Sequence, residues 1–358
     1  MASSPAALLL LLLLLLLVFF FSPSSGEEGN GGGVLPRFAE APQFRDGEGC
    51  PAAAGGGGAC AAGLVHIAMT LDEHYLRGSM AAIFSLLKHA SCPDSLFFHL
   101  VASDPAPERL RRAVAASFPS LRFGVYSFPA SLLPRRPPPA CVPRAIYLDS
   151  DVLAVDDVRR LWATRLPSAA VVAAPEYCRA NFTRYFTPAF WSDPALGPRA
   201  FRLRRRRRRP PCYFNTGVML VDLRRWRAGG YRRRIEAWMG LQRQRRIYEL
   251  GSLPPFLLVF AGEIEAVDHR WNQHGLGGDN VHGSCRPLHP GPVSLMHWSG
   301  KGKPWDRLDA ANPCPSTASG RRTISTSPLL LLLLLPLMNP IHPLPTPSPL
   351  GSRFSKFR

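Results

Sequence analysis

A chain of 358 residues, 46% apolar and 19% charged, is long enough for one large domain or two small ones and apolar enough to bury a core. Its 43 Lys and Arg against 25 Asp and Glu leave a net charge of +18, which suits an anionic partner. An export-type segment at the start argues that this partner is not nucleic acid.

That segment runs without charge from Ala6 to Phe21, with Leu8–Leu17 at its centre, and is followed by Ser22-Pro-Ser-Ser-Gly26. Residues 1–25 read as a signal peptide or a signal anchor. The run is shorter than the ~20 residues of a comfortable membrane span, so cleavage and retention both stay open. Either way the chain enters the secretory pathway. Eight cysteines, at 50, 60, 92, 141, 178, 212, 285 and 314, fit an oxidising compartment, and none forms a C-x-x-C pair. Spacing does not decide how they pair. Asn181-Phe182-Thr183 is an N-glycosylation sequon, which places Asn181 on a luminal surface loop.

Residues 26–63, rich in Gly and Ala, read as a flexible stem. Order begins at Leu64–Thr70, an apolar run of strand length. A helix over Tyr75–His89 follows, with Leu76, Met80, Ile83, Phe84 and Leu87 on one face. Ser95–Ala102 is a second strand, Pro107–Phe118 a second helix with Arg111 and Arg112 outward, and Leu121–Tyr126 a third strand. Strands alternating with helices predict a parallel sheet in an α/β nucleotide-binding architecture. Phe128–Pro143, with six prolines in 16 residues, then connects to the strand Ala145–Leu148. A parallel crossover takes a dozen or more residues, usually as a helix, and this connector is poor helix material. Further on come strands at Ala169–Ala174 and Tyr213–Asp222. A helix follows at Tyr231–Arg243, with Ile235, Trp238 and Met239 inward, and another at Ser252–Phe260. Strands at Ile264–Val267 and Val293–His297 complete the set. The run Arg204–Arg209 reads as a solvated loop expansion. Residues 316–358, rich in Ser, Thr, Pro and Leu, read as a disordered low-complexity tail.

Three stretches carry chemistry. Asp149 and Asp151 stand at the carboxyl end of the strand Ala145–Leu148, where open α/β sheets bind ligands. Such a D-x-D pair offers hard oxygen ligands to Mg²⁺ or Mn²⁺, with open positions left for a nucleotide diphosphate. Capping of the strand and turn is the simpler account of the pair taken alone. In Cys212–Met219, the residues Asn215, Thr216 and Gly217 interrupt a strand. They mark either a bulge or a close backbone approach to a ligand. In His297–Trp305, His297 ends an apolar strand and is followed by two glycines and two lysines suited to phosphate oxygens.

These stretches together resemble glycosyltransferase family 8, and within it the plant galacturonosyltransferase-like proteins. The residues that carry the resemblance are His66–Asp72 with Tyr75, Ile146–Asp151, Pro175–Thr183, Tyr213–Gly217, Arg270–Asn280 and His297–Trp305. It covers roughly 64–315, which would be the catalytic domain, a single GT-A (Rossmann-like nucleotide-diphospho-sugar transferase) unit with non-globular N- and C-terminal extensions. The resemblance implies a retaining, metal-dependent hexosyltransferase. It would move a sugar, galacturonic acid by analogy, from a UDP-sugar to an acidic cell-wall polysaccharide such as pectin. It also implies a Golgi, luminal, type II membrane setting and, as a further partner, another glycosyltransferase.

By the same resemblance Asp149, Asp151 and His297 match metal ligands, Mn²⁺ or Mg²⁺. Gly300 and Lys303 match positions on the diphosphate, Thr70, Asp72 and Tyr75 those around uracil and ribose, and Asn215 and Gly217 those on the donor sugar. No residue clearly fills the role of a carboxylate nucleophile; Glu249 and Asp279 are the acidic candidates, and attack from the front face assisted by the leaving phosphate is the expected course. The family's long helical segment before the D-x-D strand is replaced here by Phe128–Pro143. That departure supports an alternative: a catalytically impaired, basic luminal protein that binds acidic polysaccharide or scaffolds a partner enzyme.

Overall fold

The computed structural model describes residues 35–51, 58–102, 107–127, 140–197, 201, 211–249, 253–277, 291–300 and 302–306. The apolar N-terminal run, Arg204–Arg209, Asp279, Cys285, Cys314, most of the proline-rich connector and the 316–358 tail lie outside them. No described helix is long and apolar enough to cross a membrane.

The first strand, β1 (Val65–Leu71), is followed by helix α1 (Leu76–His89), β2 (Leu96–Ala102), α2 (Pro107–Ser117) and β3 (Phe123–Ser127). Each lies within two residues of its sequence-based position, because one-sided apolar periodicity in helices and continuous apolar runs in buried strands are local signals. β1 pairs in parallel with β2 on one side and with β4 (Arg144–Leu148) on the other, and β3 extends β2 in parallel. This half is the expected α/β arrangement.

The sheet then departs from the all-parallel expectation. After β5 (Val152–Ala154), α3 (Val158–Trp162), β6 (Val172–Tyr177) and α4 (Pro188–Ser192), the anticipated strand 213–222 is split into β7 (Tyr213–Phe214) and β8 (Val218–Asp222). β8 runs antiparallel to both β4 and β6. Leu220 faces Ala173 on β6, whereas Phe214 faces Glu176, so three extra residues are looped out between the two pairings. Asn215–Gly217 are those residues, and the sheet is therefore mixed. Apolar periodicity does not encode strand direction, which explains the miss.

Helices α5 (Leu223–Ala228), α6 (Tyr231–Gln244) and α7 (Leu253–Phe260) follow, then β9 (Glu265–Val267) parallel to β6, and β10 (Leu295–His297). On α6 only Ile235 is fully buried, with Trp238 and Met239 half-buried against the core. One sheet face, with Ile67, Met69, Leu100, Ile146 and Leu220, packs against α1 and α2. The other carries Tyr147, Tyr177, Phe214 and Met219 against α5 to α7, where Trp226, Tyr231 and Phe260 stack with centroids 5.1–5.6 Å apart.

Among the described residues six cysteines form disulfides: Cys50–Cys92, Cys60–Cys141 and Cys178–Cys212. The second ties the end of the stem to the entrance of β4. The third joins the ends of the excursion between β6 and β7, which carries the sequon and the arginine run.

Candidate active site

The D-x-D loop is held by what surrounds it. Asp149 N–H donates to Gly217 O at 2.9 Å, which docks the loop on the 215–217 bulge. Ser150 Oγ lies 2.6 Å from Thr70 Oγ1 and donates to Thr70 O at 2.8 Å, which ties the loop to the end of β1. Helix α1 approaches at Gly78, where a Cβ would fall 2.4 Å from Ser150 O and 2.5 Å from the Trp305 ring. Only a glycine fits there.

His297 arrives from far along the chain through the small antiparallel pair β5–β10, in which His297 faces Val152. Its Nε2 stands 3.4 Å from Asp149 Oδ2 and 3.2 Å from Asp151 Oδ1. One ligand atom from each of Asp149, Asp151 and His297 lies within 4.8 Å of the others, and all three residues are buried. His297 Nε2 is buried and has no hydrogen-bond partner of acceptable geometry. Two carboxylates and an imidazole lone pair converging on one buried point suit a hard or borderline divalent cation, so the residues fit such an ion. Gly217 leaves the point open, since a Cβ there would lie 2.2 Å from His297 Cε1 and 2.6 Å from Asp149 Oδ2.

The electrostatics are those of a concentrated charge cluster. Burial alone would lower the imidazole of His297, but the Asp151 and Asp149 carboxylates outweigh it and raise its pKa to about 9. Burial would raise Asp151, yet His297 and Lys303 hold it well below the usual carboxylate range. Lys303 Nζ donates to Asp151 Oδ2 at 2.5 Å and to Trp298 O at 2.8 Å. Tyr147, pushed well above the ordinary phenol range by burial and by Asp149, stays neutral and donates to Asp149 Oδ1 at 2.8 Å.

The other sequence-derived residues sort as follows. Thr70 touches the D-x-D loop as above. Asp72 Oδ1 accepts from Tyr75 N at 2.8 Å and shapes the entry to α1. Tyr75 meets Trp305 edge-on at 5.6 Å, with Lys303 Nζ 5.3 Å from its ring centre. Asn215 Oδ1 accepts from Gly217 N at 2.8 Å. Gly300, exposed and at φ +104°, adopts a conformation that favours glycine and turns the chain after Trp298. Glu249 sits on the surface, its carboxylate paired with Arg246. Asn181 is exposed, and its Oδ1 accepts from Thr183 N at 3.0 Å.

Three residues quoted only as parts of motifs prove to be at the site. Tyr147 looked like one more apolar strand residue. Asn272 accepts at 3.0 Å from His297 Nδ1. Gly277 backs the 298–303 loop so closely that a Cβ would lie 2.4 Å from Trp298 O and 2.5 Å from Gly302 O. The density of glycine in Gly275-Leu-Gly-Gly278 was the one local signal of that close approach.

The profile of Glycosyl transferase family 8 matches residues 139–309. "Probable galacturonosyltransferase-like 9" of Arabidopsis thaliana is 55% identical over 310 residues, covering 78% of each chain. "Probable galacturonosyltransferase-like 2" of the same plant is 52% identical over 305 residues, covering 79% of this chain and 88% of that one. Among solved structures, the galactosyltransferase LgtC in complex with donor and acceptor sugar analogues superposes with a TM-score of 0.52 at 20% identity, over 76% of this chain and 96% of that one. That likeness speaks for the fold, which is GT-A. Identity at this level across most of the sequence places the protein: the chain belongs to glycosyltransferase family 8, alongside the plant galacturonosyltransferase-like proteins, and is a glycosyltransferase.

Proposed function

We propose that this glycosyltransferase is retaining and metal-dependent, and that it moves galacturonic acid from a UDP-sugar to an acidic cell-wall polysaccharide of the pectin class. The observation that carries the metal dependence is the buried convergence of Asp149, Asp151 and His297, with Nε2 of His297 3.4 Å and 3.2 Å from the two carboxylates. The donor and acceptor rest on the names of the relatives and on the strongly basic chain, whose charge complements a polyanion.

Asp149, Asp151 and His297 would hold Mn²⁺ or Mg²⁺, which when bound neutralises charge on the departing diphosphate. The protein's own residues do the rest. Lys303 supplies a second positive charge beside the same point, and Ser299 and Gly300 would offer backbone N–H groups to phosphate oxygens. Thr70, Asp72 and Tyr75 border the side where the nucleoside would lie. Asn215 and Gly217 border the sugar. The bond from the anomeric carbon to the phosphate oxygen breaks. A bond to an acceptor hydroxyl forms on the same face, and the hydroxyl proton passes to the departing phosphate oxygen.

The 64–315 segment would act as the catalytic unit in the Golgi lumen, anchored or released by residues 1–25. Three disulfides and an exposed sequon at Asn181 support an oxidising, glycosylating compartment. A second reading, a basic luminal scaffold without turnover, draws on exposed arginines such as Arg224, Arg233 and Arg243. Release of UDP from UDP-galacturonic acid by the full-length chain with Mn²⁺ tests the proposal. Turnover lost on addition of EDTA and in Asp149→Ala supports it. Absence of turnover together with pectin binding that survives Asp149→Ala would favour the scaffold.

A further inference from the structure

The stretch Arg270–Asn280 carries the family resemblance, and its Asn272 meets the His297 ring on the side away from the carboxylates. Its Asn272 side chain is fully buried. The backbone on either side is pinned: Asn272 O accepts from Tyr177 OH at 2.6 Å, Gln273 N–H donates to Leu295 O, and Gln273 O accepts from His297 N–H at 2.9 Å. The carboxamide itself is held by complete burial and by contacts with Asn215 and His297.

Its orientation follows from its neighbours. Asn215 Oδ1 already accepts from Gly217 N–H at 2.8 Å, so the atom of Asn215 at that position is an oxygen. Asn272 meets it at 3.1 Å and must present the amide nitrogen, Nδ2, to it. The carboxamide oxygen Oδ1 is then left facing His297 Nδ1 at 3.0 Å, which requires a proton on Nδ1. Once Nδ1 carries that hydrogen, the lone pair of a neutral His297 lies on Nε2, the atom aimed at Asp149 and Asp151.

We propose that Asn272 is a positioning residue that locks His297 with Nε2 toward the cation site and, through Asn215, couples that site to the bulge that borders the donor sugar. The inference rests on the metal-dependent reading above. A continuous path, from Gly217 N–H through Asn215 and Asn272 to His297, joins the two halves of the site with each donor meeting an acceptor. Groups that orient a metal-bound histidine through its other nitrogen typically contribute 10–100-fold to metal affinity.

The test is Mn²⁺ binding to the full chain without any donor, followed by the preference for UDP-galacturonic acid over UDP in saturating Mn²⁺. Asn272→Ala should weaken Mn²⁺ about 10–100-fold. Asn272→Asp keeps an oxygen for Nδ1–H but loses the N–H to Asn215. It should escape the 10–100-fold loss of Mn²⁺ affinity expected of Asn272→Ala, while losing the preference for the sugar nucleotide. Parent-like Mn²⁺ affinity in Asn272→Ala would overturn the inference, as would equal loss in Asn272→Asp. Should Asn272→Ala fail to fold, Asn272→Asp decides alone: Mn²⁺ kept with preference lost supports the inference, and any other combination overturns it. A parent protein that binds no Mn²⁺ would overturn the proposed function and this inference with it.

Discussion

Lys303 and Asp151 lie 152 residues apart in sequence and 2.5 Å apart in space, Nζ against Oδ2. Both are buried, and the ammonium also donates to Trp298 O. Removing one partner of a buried pair leaves a charge uncompensated, at a cost of about 3–5 kcal/mol. Asp151→Ala should therefore lower unfolding stability by roughly that amount in EDTA, measured by urea denaturation, and abolish transfer. Asp151→Ala combined with Lys303→Met should recover most of the stability and none of the activity. Full stability in Asp151→Ala would mean that the pair contributes nothing.

Gly217 is the point at which the metal and sugar sides of the site meet. A Cβ there would meet His297 Cε1 at 2.2 Å and Asp149 Oδ2 at 2.6 Å. Gly217→Ala should cost about 1–3 kcal/mol in stability through overpacking. It should lower kcat/KM about 100-fold or more, because reacting groups displaced by an ångström lose that much. Steady-state kinetics with circular dichroism checks both, and parent-like kcat/KM would refute the tight approach.

Cys178–Cys212 closes a loop of 34 residues at the site end of β6 and β7. Loop-closure entropy assigns such a bond about 3–4 kcal/mol. The double replacement Cys178→Ser and Cys212→Ser should lower thermal stability accordingly. Reduction should produce the same change in the parent and a much smaller one in the double variant. Equal sensitivity in both would place the stabilisation in the other two disulfides.

His66 Nδ1 lies 3.1 Å from His99 Nε2, and His99 Nδ1 lies 3.0 Å from Tyr126 OH, all buried between β1, β2 and β3. Burial lowers His66 to about 4; burial and then the charge of His66 lower His99 to about 3. Both are neutral in the fold, while the unfolded chain titrates near 6.5. Protonation thus favours the unfolded chain: stability is complete above about pH 6.5 and falls progressively as pH drops toward 4, by a few kcal/mol. Urea midpoints at several pH values measure this, and His99→Gln should flatten the acid limb. An unchanged acid limb in that variant would place the titration elsewhere.

How far local pattern reaches is shown by α1 and β1 to β4. Their boundaries came within two residues because burial of one helical face, or of both faces of β1, β2 and β4, is written in consecutive residues; β3, only partly buried, is the least well placed. The break at Asn215–Gly217 was visible as small polar residues in a strand. Whether it was a bulge or a close approach to a ligand was not; the strand pairing makes it a bulge, and Gly217 in it packs closely on His297 and Asp149. The disulfide partners and the antiparallel β4–β8 pairing were not legible, since each depends on which distant segments become neighbours.

The sequence by itself determined the N-terminal strands and helices, the resemblance to the family and the chemical type of each motif, because those depend on residue identity and short-range periodicity; the short elements β5, α3, α4 and α5 were not legible in it. The tertiary structure alone decided that His297 stands over the D-x-D pair, that Lys303 pairs with Asp151 beside it, and that Asn272 faces both His297 and Asn215. The physical reason is register. Asp149 and Asp151 become a site only because β10 pairs antiparallel with β5, with His297 opposite Val152. A slip of one residue would turn the imidazole to the other face.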